Sequence, residues 1–395
     1  MEIRKGYQQT EIGLIPEDWE VKKLGELGVF KKGKGIKKDQ VLGDGIACVR
    51  YGEIYTHHNN IVRKFNSFIS EAIASQSQKL RKGDLLFAGS GETADEIGKC
   101  VAFLDDFEAY AGGDVIILTP YDFDSRYFGY LINFGVVALQ KSKMGQGDAI
   151  VHIYPKNLAE IYTPLPPLPE QRAIAAALSD VDSLLTALDA LITKKRLIKH
   201  GAMQELLTGK KRLPGFSGYW EVKKLGDVAE IKTGKKNNED KVENGAYPFF
   251  VRSQNIERIN SYSFDGEAIL VPGEGGIGNI FHYINGKFDY HQRVYRISDF
   301  LEDTCGKFIY FTMAQHFNQQ AMRNTVKATV DSLRLPTFLE FEFPSPPSLA
   351  ERTAIAEILT DMDTEIAALE QRREKTRLLK KGMMQELLPG RIRLI

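Results

Sequence analysis

Trp19-Glu20-Val21-Lys22-Lys23-Leu24-Gly25 recurs as Trp220-Glu221-Val222-Lys223-Lys224-Leu225-Gly226, and these two phrases hold both tryptophans of the chain. The offset is 201 (220 less 19), and it also pairs Gly33-Lys34 with Gly234-Lys235. At an offset of 202, Val49-Arg50 pairs with Val251-Arg252 and Ile54 with Ile256. A second repeated block ends each copy. Ala173-Ile174-Ala175 matches Ala354-Ile355-Ala356, and Leu178, Asp180 and Asp182 match Leu359, Asp361 and Asp363. Gln204-Glu205-Leu206-Leu207 matches Gln385-Glu386-Leu387-Leu388, and Gly201 and Gly209 match Gly382 and Gly390, all at an offset of 181. The first copy is thus longer in its middle by about 20 residues, 201 less 181. A duplicated unit with constant ends and a divergent middle has a frame built around a variable part.

The second block reads as a long helix. Ile174, Leu178, Val181, Leu185, Leu188 and Ile192 are spaced as a coiled-coil seam, and Ile355, Leu359, Met362, Ile366 and Leu369 repeat it. Pro164-Leu165-Pro166-Pro167-Leu168-Pro169 and Ser345-Pro346-Pro347 mark the helix starts. Gly209 and Gly390 stand where C-terminal caps are expected. Glu170 to Leu207 is 38 residues, roughly 57 Å of helix, with Gly201 a candidate interruption. Pairing of the two helices, antiparallel, hides both seams; packing of each on its own module is the alternative.

The middles read as mixed structure rich in strands. Asp84-Leu85-Leu86-Phe87-Ala88 and Glu267-Ala268-Ile269-Leu270-Val271 are apolar runs beside glycine, and Val115–Leu118 and Val294–Ile297 read as later strands. Tyr127–Leu139 and Lys307–Met322 read as helices. The fold class is α+β: two globular α/β modules with mixed sheets, joined by two long helices in an antiparallel coiled coil, with a pseudo-two-fold internal repeat. The domains run 1–165, 166–212, 213–346 and 347–395.

Catalytic patterns fail on their context. Gly273-Glu274-Gly275-Gly276-Ile277-Gly278 fits the dinucleotide fingerprint, but Asn279–Ile284 reads as a strand closed by Asn285-Gly286, where a helix is required. Ser345-Pro346-Pro347-Ser348 is similar to the catalytic tetrapeptide of amino-methyltransferases, yet Ser348 stands where an aromatic should stack the target base. Asp18, Glu20 and Lys22 loosely resemble a metal-nuclease signature, but Tyr219 replaces Asp18 in the second copy. An opening strand with Trp19 and Trp220 in the core fits better. His57-His58 lacks further ligands at a recognisable spacing and reads as surface histidine. No catalytic or metal residues are expected, and the chain itself is expected to be no enzyme and to hold no cofactor.

Other segments suit DNA. Lys31-Lys32-Gly33-Lys34-Gly35-Ile36-Lys37-Lys38 and its counterpart Lys232-Thr233-Gly234-Lys235-Lys236 read as basic loops whose glycines let amides approach phosphate. A solvated turn is the plainer alternative. Arg50 and Arg252 are shared while their neighbours, Tyr51 against Ser253, Gln254 and Asn255, differ; Arg, Gln and Asn make bidentate contacts to guanine or adenine edges. The loop Lys141–Asp148, with Lys143 and Gln146, corresponds to Arg323–Thr329, with Lys327, and both are candidates to enter a groove. Ser90, in the glycine loop Gly89-Ser90-Gly91, completes the candidate contacts.

Composition agrees. Lys plus Arg and Asp plus Glu each number 52, so the formal charge is zero, which speaks against a chain that coats DNA by itself. Hydrophobic residues at 43% suffice for real cores. Cys48, Cys100 and Cys305 fit neither a disulfide framework nor a zinc motif, the start Met1–Gly13 has no signal-peptide stretch, and no apolar run would span a membrane. A cytoplasmic setting is expected.

Ile15-Pro16-Glu17-Asp18-Trp19-Glu20-Val21-Lys22-Lys23-Leu24-Gly25, Pro166-Pro167-Leu168-Pro169-Glu170-Gln171-Arg172-Ala173-Ile174-Ala175 and Gln204-Glu205-Leu206-Leu207-Thr208-Gly209 resemble the specificity subunit of Type I restriction–modification systems, over nearly the whole chain. Ala350-Glu351-Arg352 departs from the family's usual Pro-Glu-Gln. The resemblance implies that each middle is a target recognition domain reading one half of a split, asymmetric double-stranded DNA site, and that the helices set the distance between the halves. It also implies methyltransferase subunits that use S-adenosylmethionine and restriction subunits that use ATP and Mg. A self-sufficient methyltransferase would need motifs that are missing here. A modification-only system, or a coiled-coil scaffold without DNA, are the other readings; a methyltransferase gene next door, with or without a helicase-nuclease, separates them. Removing one matched heptad from both helices should change the spacer length recognised, read from the methylated motif; an unchanged spacer contradicts the helices' role.

Overall fold

A computed structural model describes residues 5–147, 150–323 and 332–394. The chain forms two compact units, Met1–Ala187 with Arg373–Ile395, and Leu188–Arg372. In the first, a hairpin (Tyr7–Thr10 and Gly13–Pro16) precedes β1 (Glu20–Lys23), β2 (Gly28–Lys32), β3 (Ile46–Val49), α1 (Tyr51–Thr56), β4 (Ser67–Ile69) and β5 (Leu85–Ala88). Then follow β6 (Cys100–Ala102), β7 (Ala109–Ala111), β8 (Val115–Pro120), α2 (Ser125–Leu131), α3 (Gly135–Met144), β9 (Tyr162–Leu165) and α4 (Leu168–Leu206). The second unit has β10 (Glu221–Lys224), β11 (Glu230–Thr233), β12 (Tyr247–Phe250), β13 (Ile256–Ile259), β14 (Phe264–Pro272), β15 (His282–Tyr290), β16 (Val294–Ser298), α5 (Gly306–Arg323), β17 (Glu342–Ser345) and α6 (Leu349–Leu387). The unit boundary falls inside α4 and inside α6.

The first unit's main sheet has the order β6-β5-β8-β2, and the second unit's begins β11-β16-β14-β15. Residues of these strands alternate between two cores, so both faces are buried and the strands read as continuous apolar runs. Leu85, Phe87, Ile116 and Leu118 enter one core with Trp19 and Ile174. Leu86, Ala88, Val115 and Ile117 enter the other. Where the first unit uses β6 against β5 and β7, parallel, against β3, the second uses the single strand β15 against β14 and, parallel, β12. The sheets are mixed, as expected.

Three local expectations fail. Residues 127–139 are not one helix: the Asn133 amide pairs with both backbone groups of Cys100 (2.8 and 2.7 Å) at the sheet edge, and Gly135 restarts the chain at φ +56°. Asn285-Gly286 is not a turn but lies inside β15, with Gly286 opposite Gly266 and both at positive φ. Gly201 does not interrupt α4, which runs 39 residues.

The starts of both long helices serve their own modules. Ile174 and Leu178 are buried in the first core, and Ile355, Leu359 and Met362 join the second. Further along, Leu188, Ile192 and Ile366 are buried, while Val181, Leu185 and Leu369 are half-buried. Ion pairs fix the helix directions in the second unit, Lys195 with Glu365 (2.6 Å) and Lys199 with Asp363 (2.5 Å); in the first, Asp182 pairs with Lys380 (2.7 Å). Partner numbers fall as the others rise, so the helices run antiparallel.

A clamp closes each unit. Buried Glu170 accepts from Trp19 Nε1 (2.9 Å) and from Arg393 Nε and Nη2 (2.7 and 2.8 Å), and Arg393 also grips Asp18. Buried Glu351 accepts from Arg212 Nε and Nη2 (2.6 and 2.7 Å), and Arg212 lies over Trp220 as Arg393 lies over Trp19. Trp19 is buried; Trp220 is only half-buried, against the second core. Gly390 and Gly209 end the helices at φ +72° and +69°, and a Cβ on either would strike its tryptophan at 2.9 or 3.1 Å.

Arg393→Ala leaves Glu170 buried without its cation and is expected to cost about 3–5 kcal/mol in denaturant melts. Gly201→Ala and Gly382→Ala, where a Cβ meets nothing within 4 Å, should each stabilise by about 0.5–1 kcal/mol. Gly390→Ala should destabilise. Equal effects at the three glycines would contradict this account of the caps.

Candidate nucleic-acid interface

The two segments singled out as DNA contacts meet in one cleft of the first unit. It measures about 900 Å³ and is lined by Gly35, Ile36 and Lys38, by the run Arg50–Glu53, and by Gly112–Asp114. The second unit has a cleft of about 420 Å³ at the corresponding place, lined by Asn238, Lys241, Arg252, Ser253, Glu257 and Glu274.

The basic loops are shorter than expected. Lys31 lies in β2 and Lys232 in β11, each in register with a neighbouring strand. Lys31 is half-buried, near buried Asp84; Lys232 pairs with Glu230 at 2.6 Å. Lys34, Lys37 and Lys235 are exposed, and Lys236 is half-buried with its carbonyl accepting from Gln292 N. Gly33 and Gly234 have their amides engaged inside the fold, whereas Gly35 is exposed on the cleft. Gly33 N donates to Val115 O (2.7 Å), and a Cβ there would lie 1.8 Å from Gly112 O. Gly234 is the same, at 2.1 Å from Tyr290 O.

Arg50 and Arg252 both line their clefts, but not at one backbone position. Gly112 N donates to Val49 O and His291 N to Phe250 O, both at 2.9 Å. This register places Arg50 on Val251 and Tyr51 on Arg252, so the offset of 202 is one residue out. Phase matters here, because one residue turns a side chain to the other face. Arg50 precedes α1, and its Nη2 reaches Glu53 at 3.3 Å; buried Glu53 also accepts from Ser67 Oγ. Arg252 Nη1 reaches Glu274 at 3.2 Å. Tyr51, Gln254 and Asn255 are exposed, and Ser253 is half-buried with its hydroxyl on Asn255 O (3.1 Å). His291 is pushed below the ordinary histidine range by burial, with the Arg252 cation adding to it.

Ser90 is buried rather than outward-facing. Its hydroxyl contacts Asp114 Oδ2 (3.2 Å) and His152 Nδ1 (2.9 Å). Serine stands between acid and base here, which is not the order of a hydrolytic triad. Lys143 is exposed in the last turn of α3, so Lys141–Met144 is helix and not loop. Gln146 is exposed and exchanges both backbone bonds with His152. Lys327 lies outside the described residues. His58 is buried, against the expectation of a surface histidine. Asp18 is engaged by Arg393, which holds its carboxyl below the usual range, and Glu20 pairs with Lys22 at 2.8 Å. The glycine loop after β14 leads into a strand, which leaves no helix for a dinucleotide. Among the described residues no three His, Cys, Asp or Glu could hold a metal, and no helix is long and apolar enough to cross a membrane.

The description "Type I restriction modification DNA specificity domain" fits residues 16–198 and again 218–378. The chain belongs to the Type I restriction–modification DNA specificity family. The MjaVIII specificity subunit of Methanocaldococcus jannaschii is 27% identical over 96% of this chain and 94% of its own length. The EcoDI specificity subunit of Escherichia coli is 30% identical over 43% of this chain and 37% of its own length. The crystal structure of the S subunit from M. genitalium shares the fold, with a TM-score of 0.70 at 16% identity over 98% of both chains. Two successive matches to one domain description agree with the internal repeat.

Sequence reading missed Asp114, Glu274 and Arg293, which stand with the two arginines. They lie in the divergent middles, where neither offset pairs the copies. It also placed Lys141 in a DNA-facing loop, whereas its ammonium is buried on Gly98 O (2.8 Å) and held down at about 8. Between about 8 and the ordinary 10.5, the unfolded chain binds more protons than the folded one, so stability rises with pH across that window. Lys141→Met should flatten this rise in urea melts; parallel curves for variant and wild type would contradict it.

Proposed function

We propose that each unit reads one half of a bipartite, asymmetric double-stranded DNA site, and that the chain does so for methyltransferase and restriction subunits without chemistry of its own. The observation that carries this reading is the pair of clefts. They occupy one place on a common backbone frame, yet present different side chains: Arg50, Tyr51 and Asp114 in one, Arg252 and Glu274 in the other. A frame that holds position while its polar groups change is what two different half-sites require.

The cofactors belong to the partners in this reading: S-adenosylmethionine to two methyltransferase subunits, ATP and Mg²⁺ to restriction subunits. The assembly works in the cytoplasm, where the DNA is. Zero formal charge implies that partner subunits supply much of the phosphate grip.

A gel shift with and without methyltransferase subunits tests this. The assembled complex should retard its own duplex far more than an unrelated one, and the chain alone should bind weakly. Arg50→Ala and Arg252→Ala should each weaken specific binding about tenfold or more. A complex that retards every duplex equally, or methyl transfer by the chain alone, would count against the reading.

A further inference from the structure

The residue before β8 and the residue before β16 occupy one backbone position in the two units. Gly89 N donates to Asp114 O and Gly273 N to Arg293 O, both at 2.8 Å. On the other side of each glycine, Ile153 N donates to Gly89 O (3.0 Å) and Leu333 N to Gly273 O (2.8 Å). One residue on, Val115 O accepts from Gly33 N and Val294 O from Gly234 N. Asp114 and Arg293 are therefore equivalents, at an offset of 179 (293 less 114) that the sequence repeat does not use.

Their side chains have opposite hydrogen-bonding sense. Asp114 is exposed on the first cleft, and Ser90 Oγ holds its Oδ2 from within, with His152 behind. Among the described residues its Oδ1 has no hydrogen-bond partner. Arg293, 61% exposed, lies 3.6 Å from Glu274 Oε1, while Oε2 of the same carboxylate holds Arg252 at 3.2 Å. Glu274 thus sets two guanidiniums side by side, each with outward N–H groups remaining. Both side chains are braced from inside the fold and open outward.

Resting on the half-site reading above, we infer that this position tells the two half-sites apart at a base edge: Asp114 accepts from the exocyclic amine of cytosine in one half, and Arg293 donates to guanine O6 and N7 in the other. Equivalent positions on equivalent modules face the same part of the duplex. A phosphate at that point would repel a carboxylate, so a position that carries Asp in one copy and Arg in the other faces bases and not backbone. The bracing contacts serve this role, because a base reader must not spend its outer hydrogen bonds on the protein.

The test uses the assembled methyltransferase complex and a duplex library randomised across the recognised site, with bound sequences counted at several salt concentrations. Arg293→Ala should lower the preference for one guanine about tenfold or more in one half-site, leaving the other half and the spacer unchanged. Asp114→Ala should relax one cytosine in the opposite half only. Melting temperatures check folding, and where alanine lowers them, Arg293→Met and Asp114→Leu, which keep bulk but carry neither donor nor acceptor, take its place. Wild-type preferences in both variants would overturn the inference. So would uniformly weaker binding by Arg293→Ala, with a salt slope smaller by about one, since that marks a phosphate contact. A wild-type complex that enriches no split motif would instead refute the half-site reading, and this assignment with it.

Discussion

Glu170 is buried at the start of a long helix with an indole and a guanidinium upon it, and Glu351 at the start of the other keeps the guanidinium, from Arg212, without the indole bond. A buried carboxylate is tolerable only when donors surround it. In the first unit those donors come from Trp19 and from Arg393, 374 residues apart (393 less 19). The constraint therefore gathers into one unit the opening strand, the start of one helix and the segment beyond the end of the other. The glycine cap at that end must lie flat on the tryptophan, which fixes where the helix stops. The conserved phrases of the repeat are the parts of this clamp.

With the frame held so, the middles are free to differ. The first unit breaks a strand in two where the second keeps it whole, and still returns to the same register at Gly112 and His291. That recovery keeps the clefts equivalent although the intervening chains share little. In the proposed half-site reading, recognition rests on a few side chains at fixed backbone positions: an arginine braced by a carboxylate in each cleft, and an acidic residue in one unit where the other has an arginine.

The frame was legible because it is repeated and periodic. Trp19 with Trp220, the apolar spacing from Ile174 to Ile192, and the capping glycines each report a packing requirement that recurs. The site was legible only in part. Arg50 and Arg252 were found, but paired one residue out, because alignment by residue type ignores strand register. Ser90, Gly33 and Gly234 looked accessible from composition, whereas burial and internal hydrogen bonds consume them. Asp114 and Arg293 were invisible, since a change of sign leaves no repeat to detect. The break at Asn133 could not be read from periodicity, because its cause is a side-chain amide completing a distant strand edge.

One chain that reads two different half-sites leaves both of them written in the DNA its complex modifies. Sequencing of the methylated bases in DNA modified by the assembled complex is the decisive measurement. Two half-site readers on one chain give a split motif: two specified stretches of different sequence, separated by a fixed number of unspecified bases. A single continuous motif, or two identical halves, would contradict it.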